Sequence, residues 1–581
     1  MENAQIARFL RQTADLMEVA GEDSFRVRSY RRAADVAETW PEPLARLCAD
    51  LKRLRELPGI GKTMAEHIAE LVSTGDLALH RELLARYHPE MLELLQVPGL
   101  GPKTAAMIWE TYGAGTLDAV EALAKAGKLR ELPRLGEKAE QRILRGIAAR
   151  RGLAGRFRRD QAEAALDKLL AWMKPVRGLA RLEPAGSWRR GRDTVGDLDL
   201  VATGAGYPAA AEAAVQRFLA APGIQEVLAK GEDKISIRLG GDLQVDLRLL
   251  PPESYGAALQ YFTGSQAHNI ALRGRAQDLG YKLNEYGLFR LEGGERVAGG
   301  DEAGVYQALG LVWIPPELRE DHGEIAAAEA GTLPRLIELG DIRGDLHAHT
   351  IESDGKATIL EMATAARERG YGYIAITDHS QALAMANGMD ERRTLAHLAR
   401  IRAAEREFHA TAPGFHIFAG VEVDILADGR LDLEDEVLRQ LDVVIGSIHS
   451  RFEQSRDVTT ARLLRAVANP HLDVLGHPSG RLLLRREPYA YDFEAVAAAC
   501  KRHGVAMEIN ASPERLDLDA TQARRCRDLG VKLSVNTDAH HPSHFANMRF
   551  GLATARRAWL EAGDVINCLP AARVLRHRPR T

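Results

Sequence analysis

Two short stretches hold paired ligand-type side chains at a spacing of two. In "GDLHAHT" (344–350) the pair is His347 and His349; in "GDLDL" (196–200) it is Asp197 and Asp199. Residues two apart on an extended strand point to one face, so each pair converges on one place. The histidine pair has company. Asp354 follows in "ESDG", then His379 in "TDHS", Glu422 in "GVEVDI", His449 in "SIHS", His477 in "GHPSG", and Asp538 with His540 in "NTDAH". Of the 19 histidines, only His67, His80, His88, His268 and His322 precede residue 340. Imidazole and carboxylate groups without thiolates suit Zn, Mn or Fe. Nine of them exceed the needs of one ion and imply a cluster of two or three metals. Such a cluster makes hydroxide from bound water near neutral pH and clamps the attacking and leaving oxygens of a phosphoryl transfer. A lone histidine at a strand end is more often a satisfied polar group, but that reading does not explain the ensemble.

The aspartate pair points to different chemistry. Asp246 in "LQVDLRL" lies on a later strand and can join Asp197 and Asp199. Three carboxylates on a sheet can hold two Mg²⁺ or Mn²⁺ ions, with phosphates completing the coordination. One ion would lower the pKa of an attacking 3′-hydroxyl; the other would bind a triphosphate and steady the departing pyrophosphate. Upstream, "GSWRRG" (186–191) offers Ser187, Arg190 and the N–H groups of the Gly186–Ser187 turn to phosphate oxygens.

These groups need elements to aim them. Beyond residue 340, short apolar strands such as "YIAITDH", "FAGVEVDI", "DVVIGSIHS" and "AMEINAS" alternate with helical segments. That is the pattern of repeated βα units, whose functional face lies at the C-terminal ends of the strands. Residues 155–250 mix helices with alternating strands, 255–315 read as a small α+β unit, and 316–340 as a linker. Residues 1–150 read as helices joined by Gly- or Pro-containing turns, with a weak internal repeat at Leu54, Leu94 and Leu129, the third copy degraded at its turn. "PGIG" (58–61) and "PGLG" (98–101) carry the helix-hairpin-helix signature. Gly59, Gly61, Gly99 and Gly101 let backbone N–H groups face a phosphate, Lys62 and Lys103 add charge, and binding would be independent of base sequence. In "SFRVRSYRRAA" (24–34), Arg26, Arg28 and Tyr30 are candidates to hold a 5′-phosphate.

Composition excludes several classes. A length of 581 residues demands several domains. No apolar run approaches the ~20 residues that span a bilayer, and the N-terminus lacks a signal-peptide core; the expectation is a cytoplasmic, monomeric protein with no membrane partner. Four scattered cysteines exclude a disulfide framework and a thiolate zinc site. A net charge of −4 means that any nucleic-acid surface is local.

The motifs carry two family resemblances. The nine-residue series resembles the PHP (polymerase and histidinol phosphatase) family, over about 341–581. This implies a distorted (β/α)7 barrel and metal-dependent phosphoester hydrolysis. "GS…GDLD…D" resembles the nucleotidyltransferase superfamily, and more fully the family X DNA polymerases, similar to polymerase beta. "YFTGSQAHNIALR" (261–273) resembles that family's nucleotide-binding segment and "YKLNEYGL" (281–288) its closing subdomain. The resemblance implies a palm carrying Gly186, Ser187, Arg190 and Gly196 beside catalytic Asp197, Asp199 and Asp246. Tyr261 and Phe262 would contact the sugar, Gly264 would allow close backbone approach, and Asn269 and Arg273 would sit at the nascent base pair or template. The acidic residue that often follows the family's "TGS" is Gln266 here. The lysine that often forms a Schiff base with an abasic sugar is replaced by His67, which cannot form a stable imine. The expected organisation is multidomain α+β and α/β: 1–85 a DNA-end-binding domain, 86–155 a second helix-hairpin-helix subdomain, 156–252 the palm, 253–315 the closing subdomain, 316–340 a linker and 341–581 the PHP domain. The expected partners are gapped or primer-template DNA and dNTPs. The expected hydrolytic activity is a Mn-dependent 3′→5′ exonuclease, with abasic-site cleavage or 3′-phosphatase action as further options. Two rival readings, a phosphoesterase with a vestigial polymerase and a non-catalytic DNA-end scaffold, are opposed by the intact carboxylates and histidines.

Overall fold

The computed structural model describes residues 1–574, except 2, 40–43, 49, 58, 89, 96, 98, 134, 154, 205–207 and 232–233. Pro58 and Pro98 of the two hairpin motifs therefore lie outside the described residues. The chain divides into two compact units, residues 1–154 with 484–486 and residues 155–483 with 487–581.

The first unit is helical. Ile6, Leu10, Ala14 and Met17 recur at helical spacing along Asn3–Val19 and are fully buried. Leu57, Ile60, Met64 and Ile68 belong to the same core as Val97, Leu100, Ala105 and Ile108. Both glycine-rich turns feed helices, Lys62–Thr74 and Pro102–Tyr112. The third copy of the repeat keeps the turn that its sequence obscures. Ile60 N–H donates to Leu57 O at 3.0 Å, Leu100 N–H to Val97 O at 3.0 Å and Leu135 N–H to Leu132 O at 3.1 Å.

The second unit begins with a five-stranded sheet. Its order is Arg181–Pro184, Asp197–Thr203, Gln244–Leu249, Lys234–Leu239 and Ile224–Lys230. Asp197–Thr203 and Gln244–Leu249 run parallel, with Asp199 opposite Asp246. Leu198 and Leu200 point the other way, into the core under the sheet. Two helices follow, Tyr255–Thr263 and Gln266–Asp278, then a three-stranded sheet formed by Tyr281–Asn284, Gly287–Arg290 and Arg296–Ala298.

Residues 316–340, expected as a linker, are packed structure. Leu318 and Ile337 are buried, and so are Arg319 and Glu324. Their charges make the segment look solvated in sequence, but each has a buried partner. Arg319 Nη1 donates to Glu302 Oε1 at 2.6 Å, and Glu324 Oε1 lies 2.6 Å from His268 Nδ1.

From residue 344 seven parallel strands follow one another in chain order: Gly344–Asp345, Tyr373–Ile376, His416–Asp424, Val443–Ser447, Val474–Leu475, Ala506–Asn510 and Leu533–Asn536. A parallel bridge between Ala348 and Ala539 brings the ends together, so the barrel is nearly closed. Helices alternate with the strands, and a fully apolar stretch such as Tyr373–Ile376 is buried on both faces.

Candidate functional site

The barrel collects the nine candidate ligands at the C-terminal ends of its strands. His347 and His349 lie just past Gly344–Asp345, and the bridge at Ala348 keeps this segment extended, so both rings point inward. Glu422 is the hub. One or other of its oxygens lies 3.3 Å from His347 Nε2, 3.6 Å from His349 Nε2, 3.0 Å from His379 Nδ1, 3.4 Å from His449 Nε2 and 3.0 Å from His477 Nε2. Asp538 Oδ1 is 3.1 Å from His349 Nε2, and Asp354 contacts His379 and His540. Three overlapping groups have the geometry to share an ion: His349, Asp354, His379 and His540; His347, His349 and Glu422; His379, Glu422 and His449.

The donor set fits metal ions. His347 Nε2, His349 Nε2 and His379 Nδ1 are buried and face carboxylate oxygens, yet make no hydrogen bond. Charge points the same way. Burial, aided by Arg515, pushes His477 down to about 4. At His449 and His540 the neighbouring carboxylates outweigh burial and raise each to about 9. Burial opposes ionisation of Glu422, but His347, His379 and His449 hold its carboxyl well below the usual range. His477 and Asp538 have φ of 25° and 52°, conformations that side-chain-bearing residues rarely adopt and that functional sites tolerate.

Sequence reasoning missed the groups that hold these ligands. Glu508 accepts the backbone N–H of His477 at 2.7 Å and meets His347 Nδ1 at 2.8 Å, fixing which nitrogen of His347 faces the cluster. Asp378 takes Thr350 N–H, Thr350 Oγ1 and Ser353 Oγ, and lies 2.8 Å from His397 Nε2. It thereby pins the loop that bears Asp354. The signal for Glu508 was present: a carboxylate inside the apolar run "AMEIN" is buried at high cost unless it has partners.

The five-stranded sheet presents the second cluster. Carboxylate oxygens of Asp197, Asp199 and Asp246 lie within 4.8 Å of one another. Burial, then the charges of Asp197 and Asp246, push Asp199 up to about 7. Burial and Asp246 also raise Asp197. Lys234 Nζ at 2.5 Å and Gln244 Nε2 at 2.9 Å hold Asp246 in place. Lys234, Arg248 and Arg156 do not offset the burial and mutual repulsion that raise Asp197 and Asp199, so this set also fits divalent cations.

A cleft of about 440 Å³ opens beside it, lined by Gly186, Ser187, Arg190, Asp197, Asp199, Tyr261, Phe262, Gly264, Gln266, Asn269 and Arg273. Gly186 has φ of 60°, and a Cβ there would lie 2.3 Å from Asp199 Oδ2, so only glycine fits. Gly196 leads directly into Asp197. Two residues expected to meet the ligand also bind the protein. Asn269 Nδ2 donates to Tyr261 O at 2.7 Å while its Oδ1 accepts from Gln260, so this amide shapes the turn. Arg190 Nη1 donates to Thr263 O at 2.5 Å. Arg248 stacks on Phe262 at 3.9 Å and fixes that ring.

In the helical unit, Gly59 and Gly99 have φ of 91° and 89°. Gly61 and Gly101 cap exposed helix starts that carry Lys62 and Lys103. Arg26 and Arg28 are exposed, and Arg26 pairs with Glu22 at 2.6 Å. Tyr30 departs from expectation. It is buried, and its hydroxyl lies 2.6 Å from His67 Nδ1, because the apolar face of its helix turns inward with Val27 and Ala34. Its ring is core and does not project as a phosphate contact.

Four family models match the chain: a helix-hairpin-helix domain at residues 1–77, a SAM-like helix-hairpin-helix tandem at 91–149, the DNA polymerase beta thumb at 258–320 and the PHP domain at 345–512. The DNA polymerase/3′-5′ exonuclease PolX of Bacillus subtilis (strain 168) is 36% identical over 570 residues, which cover 98% of this chain and 97% of that protein. A probable phosphatase of Thermoanaerobacter sp. (strain X514) is 30% identical over 234 residues, 38% of this chain and 89% of that protein. A probable phosphatase of Caldanaerobacter subterraneus is 33% identical over 207 residues, 34% of this chain and 75% of that protein. Among the described residues no helix is long and apolar enough to cross a membrane. Identity of 36% over nearly the full length of both proteins, together with the helix-hairpin-helix, thumb and PHP matches in this chain, settles the kinship: the chain belongs to the family X DNA polymerases that carry a C-terminal PHP domain.

Proposed function

We propose that this chain extends DNA primers with dNTPs at the carboxylate cluster and hydrolyses DNA 3′ ends at the histidine cluster, as a short-gap repair enzyme. The observation that carries this reading is the presence of two metal-competent clusters in one chain, one made only of oxygens and one rich in nitrogens. Oxygen ligands suit Mg²⁺ or Mn²⁺; mixed imidazole and carboxylate ligands suit Mn²⁺, Zn²⁺ or Fe.

In this reading the sheet of residues 156–252 is the palm. Asp197, Asp199 and Asp246 would hold the divalent cations, which when bound acidify a primer hydroxyl and neutralise triphosphate charge. The chain's own residues do the positioning. The N–H groups of the Gly186–Ser187 turn face the phosphates, and Gly264 leaves the sugar room. The rings of Tyr261 and Phe262, packed edge to face with centroids 5.1 Å apart, form the wall that disfavours a 2′-hydroxyl. Arg273 reaches toward the template. The helical hairpins of residues 1–85 and 86–155 grip the DNA backbone, residues 253–315 close on the nucleotide, and the enzyme acts as a monomer.

In the barrel, His347, His349, Asp354, His379, Glu422, His449, His477, Asp538 and His540 would hold two or three ions, which when bound supply hydroxide near neutral pH. Glu508 and Asp378 keep the ligands aimed. The exonuclease assignment is supported by the named activity of the Bacillus subtilis relative. Phosphatase names among barrel relatives support 3′-phosphatase action as a companion activity, and abasic-site cleavage is a further option for the same metal chemistry. Single-nucleotide insertion into a one-nucleotide gap tests the polymerase half. Asp246→Asn should reduce insertion by roughly a thousandfold or more and leave hydrolysis of bis(p-nitrophenyl) phosphate unchanged. Equal loss of both activities would contradict the division.

A further inference from the structure

The nucleotide cleft is held from an unexpected side. Arg190 lines it, with Nη1 on Thr263 O and 3.1 Å from where a Cβ on Gly264 would be. The other edge of the same guanidinium is anchored away from the cleft: Nε donates to Glu320 Oε1 at 3.1 Å. That oxygen also accepts from Arg557 Nη1 at 2.9 Å, and the same nitrogen lies 3.1 Å from the backbone O of Arg190. Arg557 ends the helix Met548–Arg557, which follows the last strand of the barrel and the turn Pro542–Asn547. Its side chain is 9% exposed.

The packing around this contact is close. Gly191 has φ of 72°, and a Cβ there would touch Ala553 Cβ, Arg159 Nη1 and Arg557 Cδ, each at 3.4 Å. The turn that follows Arg190 thus lies against the barrel's helix, and Asp193 just beyond it accepts from Arg481 Nη2 at 2.8 Å. Asp197 comes four residues later. Residues 190–193 therefore join the cleft to the carboxylate strand, and Gly191 and Asp193 among them contact the barrel.

We infer that Arg557 and Glu320 are positioning residues of the nucleotide site, holding Arg190 so that its guanidinium caps the Thr263–Gly264 turn. A guanidinium carries five donors in a fixed fork, and it is oriented only when both edges are engaged. Thr263 O and the cleft take one edge; Glu320, itself held by Arg557, takes the other. Without Arg557, Glu320 keeps Arg190 and the more distant Arg192 at 3.7 Å but loses its closest other cation, and the Arg190 carbonyl loses a donor, so the hold on the Arg190 guanidinium in the cleft is loosened. A barrel that hydrolyses phosphoesters then doubles as a structural wall of the polymerase.

This inference rests on the polymerase reading of the cleft. The test is steady-state insertion of a single dNTP into gapped DNA by the full chain, with KM and kcat measured for wild type, Arg557→Ala, Arg557→Lys, Glu320→Gln and Arg549→Ala. Arg549 also bridges the barrel to the sheet module, through Glu163 at 2.7 Å, but far in sequence from the 190–193 turn. Hydrolysis of bis(p-nitrophenyl) phosphate and the melting midpoint report whether each variant is folded. Arg557→Ala and Glu320→Gln should each raise the dNTP KM about tenfold with a smaller fall in kcat, the size expected for one lost charge-assisted contact. Arg557→Lys should recover part of that, and Arg549→Ala should keep the wild-type KM. If Arg557→Ala is unfolded, Glu320→Gln alone decides. Wild-type KM in Glu320→Gln, or an equal rise in Arg549→Ala, would overturn the inference. A wild type that inserts no nucleotide would instead overturn the polymerase reading beneath it.

Discussion

Nε2 of His477 lies 3.0 Å from Oε1 of Glu422, and the two residues are 2% and 1% exposed. Four further histidines approach the same carboxylate, so Glu422 is shared by the ends of four other barrel segments. Glu422→Gln should remove bound metal and abolish hydrolysis while nucleotide insertion persists. Glu508→Gln acts one step further out, through His347, and should lower metal affinity by about 10–100-fold. Metal content after dialysis, read by atomic emission, checks both. Full metal retention in Glu422→Gln would contradict the cluster as described.

Glu302 ties the polymerase module together. Its carboxylate takes Arg189 at 2.7 Å and Arg319 at 2.6 Å, and these arginines overcome burial to lower it from 4.5 to about 2. A depressed carboxyl stabilises the fold above its unfolded value and loses that contribution as pH falls toward the folded value. The window here is therefore from about pH 4.5 down to about 2, and the contribution at neutral pH is about 3 kcal/mol. The melting midpoint of Glu302→Gln should lie well below wild type at pH 7 and converge with it toward pH 3. A gap that persists undiminished at pH 3 would assign the loss to packing.

The helical hairpins depend on two glycines. A Cβ at Gly59 would lie 2.6 Å from Arg32 Nε, and one at Gly99 would lie 2.9 Å from Arg142 Cδ, both at positive φ. Gly59→Ala and Gly99→Ala should each strain the turn by about 1–3 kcal/mol. The double variant should bind gapped DNA at least about tenfold more weakly, with a shallower salt dependence. Fluorescence anisotropy across a salt series measures both; an unchanged slope would remove the hairpins from the DNA interface.

Much of this site was legible because ligand chemistry is local. His347 and His349 declare a shared direction through their spacing, and the remaining ligands, apart from Asp354 in its loop, lie at or just past the ends of apolar strands. What stayed hidden depends on partners far apart in sequence. Arg319 and Glu324 look like linker charges until Glu302 and His268 are brought to them by the fold. Tyr30 looks like part of a basic surface, yet its helix turns that face inward. Arg557 sits 367 residues from the carbonyl it contacts, and no short motif marks it.

His67, expected by resemblance at the position of a Schiff-base lysine, has Tyr30 beside it and its pKa lowered by burial. Lys62, the nearby amine, points outward from the first turn of its helix, with its side chain 74% exposed. Borohydride treatment of the enzyme on abasic DNA should therefore yield little or no covalent adduct. A strong adduct would show that another amine serves.

In the proposed function, one chain makes phosphodiesters at the carboxylates and breaks them at the histidines. The most direct measurement follows a 5′-labelled gapped primer with and without dNTPs, comparing wild type, Asp197→Ala/Asp199→Ala and His349→Ala. Wild type should both extend and shorten the primer, the aspartate variant should only shorten it and the histidine variant should only extend it. Shortening that survives loss of His349 but disappears with the aspartates would contradict it.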